Sequence, residues 1–373
     1  MENKLKFIIS GGGTGGHIFP AIAIANAIKE KLPEADILFV GAKGRMEMEK
    51  VPAAGYEIKG IPARGLKRPL YSLSNIAVII DYIKCKNIAK KIIKDFKPNM
   101  VIGVGGYASA AIVNVASKMH IPVLLQEQNS YAGIVNKKNG AAANKICVAY
   151  EGMERFFNKE KLILTGNPVR KEIKFCNSEL KEEGRKFYKL DANKKTIFVV
   201  GGSLGCRTLN NCIKNEIENG DLFKEYQLIW QCGNVYKDQI DSFMKDRNEP
   251  NIYYSNFIQR MDLAYAAADI VISRAGAGTI SELCIAGKCT IFVPSPNVAE
   301  DHQTHNAMAL VKSNAALIVK DKNAEKELME TIENLIKDQE KITELETNIL
   351  KLAKNDAANV IADECIKLAQ QKQ

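Results

Sequence analysis

Leu5–His17 reads LKFIISGGGTGGH. The apolar run Leu5–Ser10 passes straight into Gly11-Gly12-Gly13-Thr14-Gly15-Gly16 and then His17. A short β-branched run that breaks into glycines predicts a strand and a tight turn. Pro20 follows, as an early-turn proline can when it begins a helix, and Ala21–Lys31 carries the helical pattern onward. Strand, glycine turn and helix in that order are the opening of a doubly wound α/β sheet.

The same alternation runs outward from this segment. Ile37–Val40, Met100–Val104 and Val123–Gln126 read as further strands, with a helical pattern at Ile83–Phe96. The pattern then restarts: Thr196–Val200 runs into Gly201–Gly205, followed by strands at Leu228–Gln231, Ile270–Ser273 and Thr290–Val293. Each half also has a later strand that enters a Gly-rich turn, Val104–Ser109 and Ser273–Ser281. The expectation is an α/β protein of two Rossmann-like, doubly wound parallel-sheet domains facing a cleft, at residues 1–165 and 166–373. They are joined near Gly166–Arg170, where Asn167-Pro168 suits a stiff connection. From about Ala324 the chain is helical and rich in Lys and Glu, a solvated face packed on one domain; its last helix is a candidate to pack back on the N-terminal domain.

Composition agrees. The chain has 373 residues, enough for two domains; 46% are hydrophobic and 25% charged, as in a soluble globular protein. The start MENKLKFIIS does not read as a signal peptide, because its apolar run is short and leads into glycines. No apolar stretch reaches the roughly 18 residues of a spanning helix. The 9 cysteines show no CxxC spacing, which argues against a disulfide framework or zinc site and for a reducing cytosol. His302 and His305 have no third ligand nearby and read as polar loop residues, so no metal site is expected. A net charge of +9 favours phosphates, nucleic acid or an anionic membrane without choosing among them.

The motifs narrow the chemistry. Glycines let a backbone approach an anion, and a helix N-terminus favours negative charge. On this motif alone a NAD-type or structural Rossmann turn stays open. It is not a clean GxGxxG, however, and no acidic residue closes the second strand, Leu38-Phe39-Val40-Gly41. A P-loop fails, since no Gly-Lys-Ser/Thr follows. His17 titrates near neutrality and suits removal of a proton from an acceptor hydroxyl; the plain alternative is a histidine that only bonds the backbone. Gly201–Gly205, with Ser203, reads as a pyrophosphate cradle or an empty tight turn. In Arg274–Glu282 (RAGAGTISE), Thr279 suits a phosphate, and Glu282 suits a ribose diol or simply the helix dipole. Asp301–Asn306 (DHQTHN) offers groups for sugar hydroxyls, though alone it reads as a solvent loop. Gln126–Asn129 (QEQN) ends a strand with polar side chains, and Glu127 is a second candidate base. No Asp-x-Asp is present to hold a divalent metal on a diphosphate.

Taken together, GGGTGGHIFP (Gly11–Pro20), GVGGY (Gly103–Tyr107), EQN (Glu127–Asn129), GNPVR (Gly166–Arg170), GGSLG (Gly201–Gly205), SRAGAGTISE (Ser273–Glu282) and DHQTHNA (Asp301–Ala307) occur in family order across nearly the whole chain. The chain resembles the peptidoglycan N-acetylglucosaminyltransferases of glycosyltransferase family 28, which have the GT-B architecture. The resemblance implies transfer of N-acetylglucosamine from UDP-N-acetylglucosamine to the C4 hydroxyl of the muramoyl sugar of lipid I, with inversion, giving lipid II. It implies no cofactor. It puts Thr14, Gly15 and Gly16 near the donor sugar and diphosphate, Asn129 on the N-acetylglucosamine, and Arg170, Ser203 and the Ile258 backbone on the UDP. Ala277, Gly278, Thr279, Ile280, Ser281 and Glu282 would take phosphates and ribose, and Gln303 a sugar hydroxyl. His17 is the first choice of base and Glu127 the alternative. Gly278 departs from the bulkier residue often found in the family, and His305 matches no expected role.

A lipid-linked acceptor requires contact with the cytoplasmic face of the membrane. Arg64–Leu73 (RGLKRPLYSL), with Ile76–Ile80 and Ile83–Lys91, mixes basic and apolar residues as a peripheral anionic-membrane surface does; an ordinary loop and a buried helix are the alternative. A diacylglycerol glycosyltransferase or a UDP-N-acetylglucosamine 2-epimerase on the same scaffold, and a non-enzymatic nucleotide-sugar or NAD-binding module, are the rival readings. Nucleic acid is disfavoured as a partner, because the basic residues are dispersed.

Overall fold

The structure is a computed structural model that describes residues 4–65 and 74–371. Of the basic-apolar stretch expected at the membrane, residues 66–73 lie outside the described residues. The chain forms two compact units, Met1–Arg170 with Asn355–Gln373, and Lys171–Lys354.

The first unit holds a parallel sheet of β1 (Lys6–Gly11), β2 (Asp36–Ala42), β3 (Glu57–Ile61), β4 (Met100–Gly105), β5 (Val123–Glu127), β6 (Lys145–Val148) and β7 (Leu162–Leu164), in the order β3-β2-β1-β4-β5-β6-β7. Alternate residues of each central strand enter opposite layers. Ile8, Val101 and Val123 join one core, while Phe7, Ile9, Ile102 and Leu124 join the other. Both faces are therefore covered, which is why these strands read as unbroken apolar runs. The second core layer is closed by the helix Ala357–Gln370, whose Ile361, Ala362 and Cys365 are buried with Ile24 and Ile28 of the helix Gly15–Lys31.

The second unit holds β8 (Thr196–Val200), β9 (Gln227–Gln231), β10 (Ile252–Ser255), β11 (Ile270–Ser273), β12 (Thr290–Phe292) and β13 (Leu317–Ile318), parallel, in the order β10-β9-β8-β11-β12-β13. Trp230, fully buried, is satisfied by a 3.0 Å hydrogen bond from its indole N–H to Asn210 Oδ1. The Lys- and Glu-rich tail divides between the two units. Its helices Ala324–Lys337 and Gln339–Lys351 drive Leu328, Ile332, Ile336 and Leu345 into the second unit's core, and only its last helix belongs to the first unit.

Two other expectations are corrected. The first helix begins at Gly15, so Pro20 lies inside it, not at its start. Proline keeps a helical φ and removes only the N–H that would reach the Gly16 carbonyl, still within the first turns. His302 and His305 lie on the helix His302–Val311, not in a loop. That helix buries Ala307 and Leu310 with the polar Asn306, an apolar spacing too short to stand out among its polar neighbours.

Strand order reverses at β1/β4 in one sheet and at β8/β11 in the other. Open α/β sheets bind ligands at the carboxyl ends of strands beside such reversals. The four Gly-rich turns follow β1, β4, β8 and β11.

Candidate active-site residues on the two units

On the first unit, the turns after β1 and β4 pack so closely that only glycine fits. A Cβ on Gly106 (φ +88) would stand 2.4 Å from the Gly12 carbonyl oxygen, and one on Gly105 (φ +106) 2.7 Å from His17 Cδ2. Thr14 precedes the helix in extended conformation without capping it. Its hydroxyl lies 3.3 Å from His17 Nδ1 instead. Thr14 and Gly16 are exposed, and Gly15 and His17 half-buried. His17 Nδ1 also lies 3.1 Å from the Gly12 carbonyl oxygen. A carbonyl only accepts, so a bond to it calls for the ring proton on Nδ1, whereas the Thr14 hydroxyl can donate to Nδ1 in the other tautomer.

Glu127, at the end of β5, is 1% exposed. Its Oε1 accepts from the Asn129 backbone N–H (3.0 Å) and side-chain amide (3.2 Å), and its Oε2 from Gly133 N–H (3.0 Å) and Asn136 Nδ2 (2.9 Å). The carboxylate thus organises the loop that carries the half-buried Asn129. Asn167 joins this network, accepting from Gln126 Nε2 (2.9 Å) and donating to the Gln128 carbonyl (3.0 Å), so the GNPVR segment begins as part of the first unit. Arg170 ends the first of that unit's two segments, exposed. Sequence reasoning missed Glu47. It is fully buried, and its carboxylate accepts from Gly13 N–H (3.0 Å) and Ala42 N–H (2.9 Å). The available signal was its place just after β2, five residues beyond that strand's last residue, Ala42.

On the second unit, Gly202 and Gly205 take φ of +88 and +89, which shapes the turn that exposes Ser203. Gln231, at the end of β9, ties this turn to Ile258. Its Nε2 donates to the Gly202 carbonyl and its Oε1 accepts the Ile258 N–H, both at 2.9 Å. The Ile258 N–H is therefore engaged within the unit. Gln231 was absent from the sequence-derived residues because a strand-end glutamine carries no motif.

After β11, the helix Ala277–Ala286 starts at Gly276 without a side-chain cap. Ala277 and Ile280 are buried, while Gly278, Thr279 and Ser281 are half-buried. Glu282 is 8% exposed, and its Oε2 accepts from the Tyr265 hydroxyl at 3.1 Å. Arg274 is engaged within its own unit, donating to the Val293 (2.8 Å) and Pro294 (3.0 Å) carbonyls and pairing with Asp321 at 2.6 Å. Gln303 accepts the Ser295 N–H at 2.8 Å, which directs its amide NH₂ outward from that bond. Just before it, Glu300 and Asp301 take φ of 56 and 48, left-handed values that non-glycine residues hold only at a cost. Among the described residues no His, Cys, Asp and Glu cluster suits a metal ion.

Two doubly wound parallel sheets, each with Gly-rich turns at its strand reversal, define the GT-B class of α/β proteins. Residues 7–148 match the glycosyltransferase family 28 N-terminal domain and residues 196–366 the glycosyltransferase family 28 C-terminal domain. The chain belongs to glycosyltransferase family 28. It is 55% identical over 372 residues to the UDP-N-acetylglucosamine–N-acetylmuramyl-(pentapeptide) pyrophosphoryl-undecaprenol N-acetylglucosamine transferase of Phocaeicola vulgatus, covering 99% of this chain and 98% of that one. Among solved structures it is similar to MurG of Acinetobacter baumannii, with TM-score 0.77 and 25% identity over 98% of this chain and 99% of that one. The UDP-GlcNAc 2-epimerase of Neisseria meningitidis shares the fold alone, with TM-score 0.67 and 16% identity over 97% of this chain and all (100%) of that one.

Proposed function

We propose that this chain transfers N-acetylglucosamine from UDP-N-acetylglucosamine to the C4 hydroxyl of the muramoyl sugar of lipid I, with inversion, releasing UDP and forming lipid II. The near-full-length match to a transferase of that name carries the reading. The hydroxyl oxygen attacks the anomeric carbon as the bond to the UDP oxygen breaks, and His17 Nε2 takes the hydroxyl proton. His17 is preferred to Glu127, whose two oxygens already accept four hydrogen bonds while fully buried, so protonation there sacrifices existing contacts. Glu127 instead fixes Asn129 for the donor sugar. Charge growing on the leaving diphosphate is met by N–H groups at Gly201–Gly205 and at the start of the helix Ala277–Ala286, with Thr279 and Ser203 hydroxyls and Arg170. Glu282, held by Tyr265, accepts from the ribose diol, the Ile258 carbonyl faces the uracil, and Gln303 meets a sugar hydroxyl.

Lipid I ties the work to the cytoplasmic membrane face. The helix Ser74–Phe96 exposes Ile80, Tyr82, Ile83 and Ile88 beside Lys84, Lys90 and Lys91, which supports peripheral attachment through an apolar, basic surface. No helix among the described residues is long and apolar enough to cross a membrane.

The test is purified protein with labelled UDP-N-acetylglucosamine and a lipid I analogue, diacylglycerol, or no acceptor. Label is expected in the lipid I product alone. Transfer to diacylglycerol, or turnover of donor without acceptor, overturns the reading. His17→Ala should lose about 10²–10⁴-fold in kcat, the usual contribution of a positioned base, while UDP binding stays near normal.

A further inference from the structure

The peptide unit between Gly12 and Gly13 is bonded on both sides. Its N–H, on Gly13, donates to Glu47 Oε2 at 3.0 Å. Its C=O, on Gly12, lies 3.1 Å from His17 Nδ1, within reach to accept a proton carried there. We propose that Glu47 is a positioning residue for His17, acting through this one peptide as a carboxylate–peptide–imidazole relay. The inference rests on the reading of His17 as the base, and Glu47 touches no substrate.

The packing is specific to this arrangement. Glu47 is fully buried, and its carboxyl group fills the space under the turn: a Cβ on Gly12 would stand 2.1 Å from Oε1, and one on Gly41 2.6 Å from Cγ. Ala42 N–H holds Oε1 at 2.9 Å, which leaves Oε2 aimed at Gly13. On the opposite side, Gly106 backbone lies so near the Gly12 carbonyl that any side chain there would displace it. The peptide plane is therefore clamped between an anion and the ring it orients.

A carboxylate that draws on an amide N–H leaves more electron density on the same amide's oxygen, since hydrogen bonds in a chain strengthen one another. The Gly12 oxygen then holds the Nδ1 proton more firmly and keeps Nε2 as the acceptor. When Nε2 takes the hydroxyl proton, the positive ring stands one peptide away from a buried negative charge. In direct carboxylate–histidine pairs the acid fixes the tautomer and steadies the imidazolium in the same sense. The rival arrangement has the Thr14 hydroxyl, 3.3 Å from Nδ1, donating to that nitrogen while the ring proton sits on Nε2.

The two arrangements differ in tautomer, which ¹⁵N-labelled full-length protein reports through long-range ¹H–¹⁵N imidazole spectra, with His17→Ala identifying the resonance. Wild-type neutral His17 is expected in the Nδ1–H form. Glu47→Gln keeps the side chain's shape but loses the charge and one acceptor; it should shift His17 toward Nε2–H. It should also lower kcat at least about tenfold with KM for UDP-N-acetylglucosamine changed less than about twofold, the pattern of a contact felt in the transition state only. A wild-type Nε2–H ring, or Glu47→Gln with unchanged tautomer and kcat, overturns the proposal. The wild-type spectrum decides even if the variant does not fold. Normal turnover in His17→Ala would sink the base assignment while the tautomer data still judged the relay.

Discussion

Glu127 Oε1 holds Asn129 twice, through its backbone N–H at 3.0 Å and its side-chain amide at 3.2 Å. A single buried oxygen therefore sets both the loop position and the rotamer of the residue assigned to the donor sugar. Glu127→Gln should act through Asn129. The expected outcome is a loss in kcat/KM for Glu127→Gln close to that of Asn129→Ala, with the double variant hardly worse than either, a coupling of about 0.5–3 kcal/mol in a double-mutant cycle. Additive losses would mean that Glu127 meets substrate by itself, as a base would.

Gln231 makes a corresponding bridge on the second unit, between Gly202 and Ile258. Gln231→Ala leaves the Ile258 N–H buried without that acceptor, a cost of about 1–3 kcal/mol. Because the two loops it joins are those assigned to diphosphate and uracil, the loss should fall on KM for UDP-N-acetylglucosamine more than on kcat. Calorimetric titration with UDP checks this, and unchanged UDP affinity would detach the bridge from the nucleotide site.

The central strands were legible in sequence because both their faces are buried, which forces continuous apolar runs. Thr196–Val200 and Ile270–Ser273 fall where the runs do. The edges were not. β3 reads EIKGI, where Glu57 and Lys59 on the solvent side leave no continuous apolar run, and β13 is two residues long, too short to show a period. The site divides similarly. Gly-rich turns announce themselves, since only glycine tolerates the +88 of Gly106 pressed against Gly12. Glu47 and Gln231 did not, and Asn167 was legible only as part of a stiff connection, because their partners lie 34, 27 and 41 residues away in sequence.

Gly278, in the first turn of the helix Ala277–Ala286, has no atom within 4 Å of where a Cβ would sit. Gly278→Ala meets no clash and reduces the freedom of the unfolded chain, so stability should rise by about 0.5–1 kcal/mol. If phosphate oxygens approach this backbone as proposed, the new methyl group should raise KM for the donor at the same time. Thermal melts and initial rates together check the pair. Higher Tm with unchanged KM would move the diphosphate away from Gly278.

Asp269 offers a pH-dependent test that is independent of the active site. Lys181 Nζ (2.6 Å), Arg185 Nη2 (3.0 Å) and the Thr196 N–H (2.7 Å) converge on its carboxylate, pinning the helix Ser178–Phe187 to the ends of β8 and β11. Burial pushes this carboxyl upward, but the Lys181 hydrogen bond and charge, the Thr196 N–H and Arg185 together hold it below its ordinary value. A depressed carboxylate stabilises the fold above its unfolded value, about 3.9, and that contribution disappears as pH falls toward the lower folded value. Asp269→Asn should cost roughly 2–3 kcal/mol at pH 7, less than the ~3–5 of a fully buried broken pair because Lys181 keeps some solvent. The gap between wild type and variant should narrow as pH drops below about 4, where Asp269 of the unfolded chain begins to protonate while the folded carboxylate does so only at lower pH. Urea unfolding at the two pH values measures it directly. A gap of equal size in acid would mean that packing around Asp269, and not its charge, secures the second unit.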